Sequence, residues 1–233
     1  MTSEKPKFFH ITGEAEPDYT KYASFVSEGN RIFFVGIGGI SMCGLAELST
    51  CYGAECFGSD PHPNQRTDYL QNGLGIKIWT EHRAASIDEV KPDLVVFSRA
   101  VFDDNPERLR AAALGIPCIE RSIFLGSILR LYNQVINISG TNGKSTAVAM
   151  SALMLIEAGL DPTVHLGAEL INFKTTVRAG RGKDLMLSEA CEFRRGFYNY
   201  RGDINIILNM VHDHIDSYKT PDDMVDAFAR FAA

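Results

Sequence analysis

The residues with the clearest chemical potential form a short glycine-rich segment in the middle of the chain. Residues 140–146 read Gly-Thr-Asn-Gly-Lys-Ser-Thr and follow the apolar run Gln134–Ser139. Glycine lets backbone amides converge on phosphate oxygens, and a helix that begins at the lysine adds partial positive charge. Lys144 could then reach the terminal phosphates of a nucleotide, and the Ser145 hydroxyl could bind Mg²⁺. The predicted contacts with ATP and Mg²⁺ are Gly140, Thr141, Asn142, Gly143, Lys144, Ser145 and Thr146.

This segment departs from the general phosphate loop, which has its first glycine five residues before the second. Ile138 stands at that position here. The alternative interpretation is a glycine-rich turn whose helix is capped by Ser or Thr. A clear strand before the segment and the helical pattern Ser145–Ala158 after it favour phosphate binding. We expect Lys144 to be exposed at the loop.

Two further polar residues follow predicted strands of the same region. Glu189 comes directly after Asp184–Ser188, and His214 follows Ile204–Asn209. Because the carboxyl ends of parallel strands meet at one edge of an open sheet, we expect both side chains near Lys144. Taken singly, Glu189 could cap a helix and His214 could be a surface histidine. The predicted catalytic residues are Lys144, Glu189 and His214, and the predicted metal ligands are Ser145, Glu189 and His214.

A second glycine-rich turn, residues 36–39, follows the apolar run Arg31–Val35. A dinucleotide fingerprint requires the spacing GxGxxG, but Ser41 stands at the third glycine position. Asp60, which follows the next strand, would suit a ribose hydroxyl. An NAD-dependent oxidoreductase is therefore one hypothesis, disfavoured by Ser41 and by the second phosphate loop. A tight turn without a ligand is another.

Short apolar runs that alternate with helical patterns predict the elements that carry these residues. The predicted strands of the first part are Arg31–Val35, Glu55–Gly58, Ile76–Trp79, Asp93–Phe97 and Pro117–Ile119. The helices between them are Ser41–Tyr52, Thr67–Asn72 and Asn105–Ala113. After a helix at Ile123–Tyr132, the predicted strands are Gln134–Ser139, Pro162–His165, Asp184–Ser188 and Ile204–Asn209. This βαβ order predicts doubly wound sheets.

The predicted fold class is α/β, with a Rossmann-like N-terminal domain followed by an incomplete P-loop-type α/β ATPase domain. An irregular extension (residues 1–30) precedes the two domains, residues 31–130 and 131–233. The four strands predicted for the second domain are few for a nucleotide-binding sheet, where about five or six are usual. We therefore expect the second domain to be incomplete and its final helix, Pro221–Ala233, to leave apolar residues uncovered: Met224, Val225 and Phe228.

Composition narrows the class of protein. The chain has 233 residues, a net charge of −6 and a pI near 5.5, which argues against a nucleic-acid partner. No apolar run approaches the length of a membrane helix. Five scattered cysteines without CxxC spacing favour a reducing, cytoplasmic location over disulfides or zinc. They are Cys43, Cys51, Cys56, Cys118 and Cys191.

The motifs of the second half resemble those of the Mur ligase family. The short loop with Ser145 directly after Lys144 is similar to the Mur form of the phosphate loop. Residues 189–192 read Glu-Ala-Cys-Glu, and residues 209–216 match the family pattern Asn-x-x-x-Asp-His-x-Asp. The resemblance implies that Glu189 and His214 hold Mg²⁺ near the γ-phosphate and the substrate carboxylate.

The first glycine turn resembles the start of the alanine-adding branch of the same family. Residues 36–46 match Gly-Ile-Gly-Gly-x-x-Met-x-Gly-Leu-Ala. In that branch the loop holds the diphosphate of a UDP-sugar. Arg99 departs from the family's Ser-Ser-Ala at residues 98–100. The substrate-binding residues that the resemblance implies are Gly36, Gly38, Gly39, Ser59, Asp60 and Ser98.

The reaction implied by the resemblance is amide formation driven by ATP. The lactyl carboxylate of UDP-N-acetylmuramate is phosphorylated, and the amine of L-alanine attacks the acyl phosphate, as in peptidoglycan precursor synthesis. Two alternatives stay open: a recycling ligase that adds murein tripeptide, and a binding module without catalysis. Family members are about twice as long as this chain, so we expect no alanine ligation without a further chain that supplies the C-terminal half.

Overall fold

The computed structural model describes residues 16–170, 175–211 and 217–233, which form two five-stranded sheets with helices packed against them. The elements of the first half are α1 (Tyr19–Ser24), β1 (Arg31–Val35), α2 (Ile40–Cys51), β2 (Glu55–Ser59), α3 (Gln65–Leu74), β3 (Lys77–Trp79), α4 (Ala84–Val90), β4 (Leu94–Phe97), α5 (Pro106–Ala113), β5 (Cys118–Glu120) and α6 (Arg121–Leu129). Those of the second half are β6 (Gln134–Ser139), α7 (Lys144–Glu157), β7 (Thr163–Leu170), β8 (Thr175–Arg178), β9 (Leu185–Glu189), a 3-10 helix (Phe193–Asn199), β10 (Ile204–Ile207) and α8 (Pro221–Ala232).

The first sheet is entirely parallel and has the strand order β3-β2-β1-β4-β5. Its central strand β1 is buried from Ile32 to Val35, because helices cover both faces. The order reverses at β1, where β2 lies on one side and β4 on the other. Loops that leave the carboxyl ends of these strands therefore share one crevice, the usual ligand site of such sheets.

The second sheet has the order β10-β6-β9-β7-β8, in which only the edge strand β8 is antiparallel. Strands β10, β6 and β9 are parallel neighbours, so their carboxyl ends lie side by side. The segment 208–211 follows β10, the phosphate loop follows β6, and Glu189 is the last residue of β9. The α/β class is therefore confirmed, with a Rossmann-like sheet followed by a mixed sheet of the phosphate-loop type.

Several elements differ from the sequence prediction. The sequence indicated irregular structure before residue 31, but α1 occupies Tyr19–Ser24 and is capped by the Asp18 side chain. Helix α4 was also missed, and β7 extends to Leu170 to pair with β8. The second sheet consequently has five strands among the described residues, one more than the four predicted.

Two of the three apolar residues that were expected to be uncovered on the final helix are buried. Met224 and Phe228 are 2% and 1% exposed, since α8 packs on β10 and the 3-10 helix, while Val225 on the opposite face is 49% exposed. The ring of Phe228 meets the Phe197 ring edge to face. Among the described residues, no helix is long and apolar enough to cross a membrane.

Helix α2 joins the two sheets. It begins at the first glycine turn and packs against β7 and β8 of the second sheet as well as against β2. A Cβ atom added to Gly44 would lie 2.5 Å from Thr176 Oγ1 and 2.7 Å from Val177 Cγ1. Glycine at this position therefore permits the close approach of α2 to β8.

Candidate functional site

The phosphate loop connects β6 to α7. Gly140 has φ +142° and Gly143 has φ +83°, which side chains of L-residues rarely adopt. A Cβ atom on Gly140 would also lie 3.1 Å from the carbonyl oxygen of Asn209. The loop conformation therefore requires glycine at both positions.

Helix α7 begins after this loop without a side-chain cap. Within the described ranges, the backbone amides of residues 143–146 donate to no carbonyl or side-chain oxygen. Unpaired amides at a helix N-terminus carry partial positive charge and bind anions. This turn is the strongest anion-binding feature of the second sheet.

Residues after β10 hold the loop from its side. Asn209 Oδ1 accepts the Asn142 amide at 3.0 Å, and Asn209 Nδ2 donates to the Asn142 carbonyl at 2.9 Å. The Thr141 hydroxyl donates to the Val211 carbonyl at 3.1 Å and accepts the Val211 amide at 2.9 Å. The Thr141 and Asn142 groups thus support the loop, while Thr146 is exposed at its rim.

Lys144 folds back over the loop, and its side chain is only 13% exposed. Its ammonium donates to the Gly140 carbonyl at 2.5 Å and to the Thr141 carbonyl at 3.1 Å. The carboxylate of Glu192 lies 3.0 Å away through Oε2 and 3.1 Å away through Oε1. The expectation of an exposed lysine was wrong, because these acceptors draw the ammonium inward.

Glu192 was not among the predicted site residues, although it ends the Glu-Ala-Cys-Glu segment that was noticed. Its side chain is fully buried, and its backbone carbonyl accepts the Tyr218 hydroxyl at 2.5 Å. A buried carboxylate requires a cation close by, and Lys144 supplies one. The pairing could have been suspected from the motif, but not located, since the two residues are 48 positions apart.

Glu189 lies at the mouth of the loop with Ser145. The Ser145 hydroxyl donates to Glu189 Oε2 at 2.8 Å, and the same oxygen accepts the Gly167 amide at 2.8 Å. A Cβ atom on Gly167 would collide with the Glu189 carboxylate, so glycine on β7 makes room for it. The structure therefore brings together Ser145 and Glu189, two of the three predicted metal ligands.

The third predicted ligand, His214, lies outside the described residues. Within residues 16–170, 175–211 and 217–233 there is no cluster of three His, Cys, Asp or Glu residues that could hold a metal. The hydroxyl of Ser145 and the carboxylate of Glu189 are nevertheless hard oxygen donors of the kind that Mg²⁺ prefers. This pair fits Mg²⁺ bound together with nucleotide phosphates.

The first glycine turn is closed by the end of β2. The amides of Gly36 and Ile37 donate to the Ser59 carbonyl at 2.8 and 3.1 Å, and the Gly38 amide donates to Asp60 Oδ2 at 2.8 Å. A Cβ atom on Gly38 would lie 2.7 Å from that oxygen. Gly39 is exposed and begins α2 without a side-chain cap.

Asp60 is engaged by the backbone on both oxygens, because its Oδ1 accepts the His62 amide at 2.9 Å. Arg66 also reaches this turn: its Nε donates to the Gly38 carbonyl at 2.8 Å, and its Nη1 lies 3.4 Å from Glu169 on β7. The sequence gave no reason to single out Arg66, since it is one of many surface-type arginines on a helix.

The side chain of Ser59, a predicted substrate contact, lies beneath the turn. Its side chain is fully buried, and its hydroxyl donates to Glu107 Oε2 at 2.7 Å. His82 Nδ1 lies 2.9 Å from both the Ser59 hydroxyl and the same Glu107 oxygen. Burial raises the pKa of the Glu107 carboxyl, an effect that these two partners oppose. Ser59 therefore supports the turn from beneath, because its hydroxyl has no open face.

Ser98 follows β4, on the other side of the turn. Its hydroxyl accepts the Ala100 amide at 3.3 Å, and a Cβ atom on Gly36 would lie 3.4 Å from its Cβ. Arg99, the departure from the family pattern, donates to the Arg194 carbonyl at 2.7 Å and lies 3.4 Å from Glu120. Arg99 thus links the edge of the first sheet to the 3-10 helix of the second half.

Ser41 explains why the third fingerprint position is not glycine. Arg121 Nη1 donates to the Ser41 hydroxyl at 2.9 Å, and that hydroxyl lies 3.0 Å from His165 Nε2 on β7. Arginine only donates, so the Ser41 hydroxyl accepts from Arg121, while the direction of its hydrogen bond to Nε2 follows from the tautomer of the histidine. Burial, aided by Arg121, lowers the pKa of His165 to about 3. Ser41 therefore connects α2 to the second sheet through a neutral histidine.

Comparison with known families agrees with this geometry. Residues 31–133 match the model described as Mur ligase family, catalytic domain. Residues 138–233 match the model described as Mur ligase middle domain.

Curated relatives are UDP-N-acetylmuramate–L-alanine ligases. The chain is 39% identical to that of Acetivibrio thermocellus over 201 residues, which are 86% of this chain and 42% of the relative. It is 38% identical to that of Clostridium tetani over 215 residues, 92% of this chain and 45% of the relative. The chain therefore spans less than half the length of these curated relatives.

Two solved structures share the fold. The UDP-N-acetylmuramate–alanine ligase of Thermotoga maritima has a TM-score of 0.79 at 32% identity, covering 87% of this chain and 46% of that one. The second is a Neisseria meningitides UDP-N-acetylmuramate:L-alanyl-γ-D-glutamyl-meso-diaminopimelate ligase. It has a TM-score of 0.79 at 26% identity, and the match covers 87% of this chain and 67% of that one. With both family models matched in order, the chain belongs to the Mur ligase family, of which it carries the catalytic and middle domains.

Proposed function

We propose that the chain provides the sugar-nucleotide and ATP sites of a ligase that joins L-alanine to UDP-N-acetylmuramate in peptidoglycan precursor synthesis. In this reaction, ATP phosphorylates the lactyl carboxylate, and the amine of L-alanine displaces phosphate from the resulting acyl phosphate. The names of the curated relatives support this choice of substrates.

One observation carries the proposal: the two glycine loops are connected through strand β7. Arg66 contacts Gly38 of the first loop and Glu169 of β7. Two residues earlier on β7, Gly167 donates to Glu189 beside the phosphate loop. A substrate with its diphosphate on the first loop could therefore direct its carboxylate towards Lys144. Holding two reactants in this way is worth several orders of magnitude in rate.

The residues of the phosphate loop have distinct proposed roles. Lys144 would leave Glu192 and neutralise charge on the transferred phosphoryl group, while the open amides of α7 bind the other phosphates. Ser145, Glu189 and, beyond the described residues, His214 would hold Mg²⁺. The bound ion would act as a Lewis acid and bring phosphate and carboxylate oxygens together.

A second candidate is the recycling reaction, in which a murein tripeptide replaces L-alanine. The Neisseria meningitides structure, which has the same TM-score as the alanine ligase, favours this alternative. Both reactions would use the same loops and the same acyl phosphate. They differ only in the amine, so a comparison of L-alanine with L-alanyl-γ-D-glutamyl-meso-diaminopimelate as acceptor separates them.

The proposal is tested by binding and by chemical trapping. Calorimetry should show binding of ATP-Mg²⁺ and of UDP-N-acetylmuramate, and no binding of NAD. Incubation of both ligands with hydroxylamine should yield the hydroxamate of UDP-N-acetylmuramate, because hydroxylamine captures an acyl phosphate. Binding of NAD without binding of the UDP-sugar would overturn the proposal in favour of an oxidoreductase.

A further inference from the structure

A buried carboxylate lies beneath the first glycine turn with one histidine as its ionic partner in the described part of the chain. Glu107 is fully buried, and His82 Nδ1 is 2.9 Å from its Oε2. A carboxylate removed from water requires a proton or a cation nearby.

His82 keeps a free edge. Its side chain is 22% exposed, and its Nε2 makes no hydrogen bond to the described residues. His82 follows β3, which is the next strand after β2 at the same edge of the sheet. Only Ser59 separates it from the turn, since the Ser59 carbonyl accepts the Gly36 and Ile37 amides.

A diphosphate at this turn would need cations from elements other than α2. The Gly38 amide, which would otherwise face an anion, is already occupied by the Asp60 carboxylate at 2.8 Å. That carboxylate repels phosphate. No lysine or arginine lies in the first turn of α2, which begins Ile40-Ser41-Met42. The cations beside the turn therefore come from other elements, such as Arg66 at the Gly38 carbonyl and Arg121 at the Ser41 hydroxyl.

We propose that His82 is an anion-binding residue of this site, which donates from Nε2 to a phosphate of the sugar nucleotide while Glu107 accepts from Nδ1. The inference rests on the proposed binding of a UDP-sugar at the first loop. Glu107 acts as a positioning residue, because it fixes the ring through Nδ1 and so leaves Nε2 as the edge that meets the ligand. The ligand class is a nucleoside diphosphate, recognised through its charge as well as through its base.

The test separates phosphate recognition from stability of the turn. Dissociation constants for uridine and for UDP are measured by NMR titration on the whole chain. In His82→Gln we expect about tenfold weaker UDP binding with unchanged uridine binding, because a charge-assisted hydrogen bond is lost. His62→Gln is the matched control, since His62 is an exposed histidine at the same edge whose side chain makes no hydrogen bond to the described residues.

A second variant covers the case in which His82→Gln does not fold. Glu107→Gln keeps the histidine and removes the charge behind it, so we expect UDP binding to weaken about threefold without a change for uridine. Equal weakening of uridine and UDP, or no weakening of UDP, would overturn the role of His82. If wild-type protein binds ATP-Mg²⁺ but neither uridine nor UDP, the sugar-nucleotide part of the proposed function fails and this inference fails with it.

Discussion

The loops 36–39 and 140–143 each connect a buried parallel strand to a helix that begins without a side-chain cap. They differ in what occupies their amides. The four amides of the first loop all donate to protein oxygens, one of which belongs to the Asp60 carboxylate. The second loop leads into a lysine and into the amides of residues 143–146, which donate to no oxygen of the described residues. The same strand–glycine–helix pattern thus carries a negative charge in one case and a positive charge in the other.

The glycines also serve different purposes. At Gly38 a side chain would collide with other side chains, those of Asp60 and Asn64. At Gly140 it would meet the backbone of Asn209, and φ is +142°. Side chains can move and backbone cannot, so we expect the second loop to be much less tolerant of substitution. The comparison teaches that the partner of each glycine, more than its spacing, decides what the loop can bind.

The largest effect is expected for Lys144→Ala. Loss of an ionic contact with the terminal phosphates should weaken ATP-Mg²⁺ binding about a hundredfold, or about 2.7 kcal/mol. Binding of UDP-N-acetylmuramate should not change. Calorimetry with each ligand measures both.

This substitution also removes a cation from the buried Glu192 carboxylate. The double variant Lys144→Ala with Glu192→Gln should therefore be more stable than the single variant, yet still fail to bind ATP. Lys21→Ala, which changes an exposed lysine of helix α1, is the matched control. Recovery of ATP binding in the double variant would show that Lys144 acts through stability alone.

Gly140→Ala should weaken ATP-Mg²⁺ binding about thirtyfold, because a strained φ and the contact with Asn209 together cost about 2 kcal/mol. Gly38→Ala should leave ATP binding unchanged and weaken UDP binding by a smaller factor. Equilibrium titrations on both variants sharpen the comparison of the loops. The comparison would break if alanine at residue 140 were tolerated better than alanine at residue 38.

The stability of the chain should depend on pH through His165, which links β7 to Ser41 of α2. Burial lowers the pKa of this histidine to about 3. Between pH 6.5 and pH 3 the unfolded chain binds a proton that the folded chain does not. The contribution of neutral His165 to the free energy of unfolding is therefore fully present above pH 6.5. It decreases as the pH falls, by about 2 kcal/mol at pH 5. Urea unfolding at pH 7 and pH 5 measures this loss, and His165→Gln should reduce it. An equal loss in the variant would exclude His165 as the cause.

The smallest effect is expected for Asp60→Asn. Asparagine can still accept from the Gly38 amide through its oxygen, but it removes the negative charge from the turn. UDP should then bind within about fivefold of wild type, since loss of repulsion offsets the weaker hydrogen bond. Uridine affinity, measured in parallel, reveals whether Asp60 also contacts the nucleoside. A change of more than about a hundredfold for UDP would mean that Asp60 itself binds the ligand.

Local pattern was sufficient to predict the strands at the centre of each sheet. The bounds of β1 and β6 agree with the sequence prediction residue for residue, because both are buried apolar runs ended by glycine. Helix α4 was missed because seven residues with few large apolar side chains give a weak helical period. Strand β8 was missed for a related reason, since its four residues pair with β7 only through tertiary contacts.

In the candidate site, too, some residues could be predicted from the sequence and others could not. Ser145 and Glu189 could be predicted from motifs, and the fold brings them together. The burial of Ser59, the folding back of Lys144 and the pair of His82 with Glu107 could not, since each depends on partners that are distant in sequence. Glu107 is 48 residues from Ser59 and 25 from His82. Spacing in one sequence carries no signal for such contacts.

The close approach of α2 to β8 has a consequence for how the molecule unfolds. At Gly44 the helix lies directly against Thr176 and Val177, so water can enter this contact only if α2 and β8 separate. If either sheet melts, α2 loses half of its partners, and apolar surface of the other sheet becomes exposed to solvent. The two sheets should therefore melt as one cooperative unit, with a single calorimetric peak whose van't Hoff enthalpy equals the measured enthalpy. Because α2 packs on both sheets, each glycine loop keeps its conformation only while both sheets are folded.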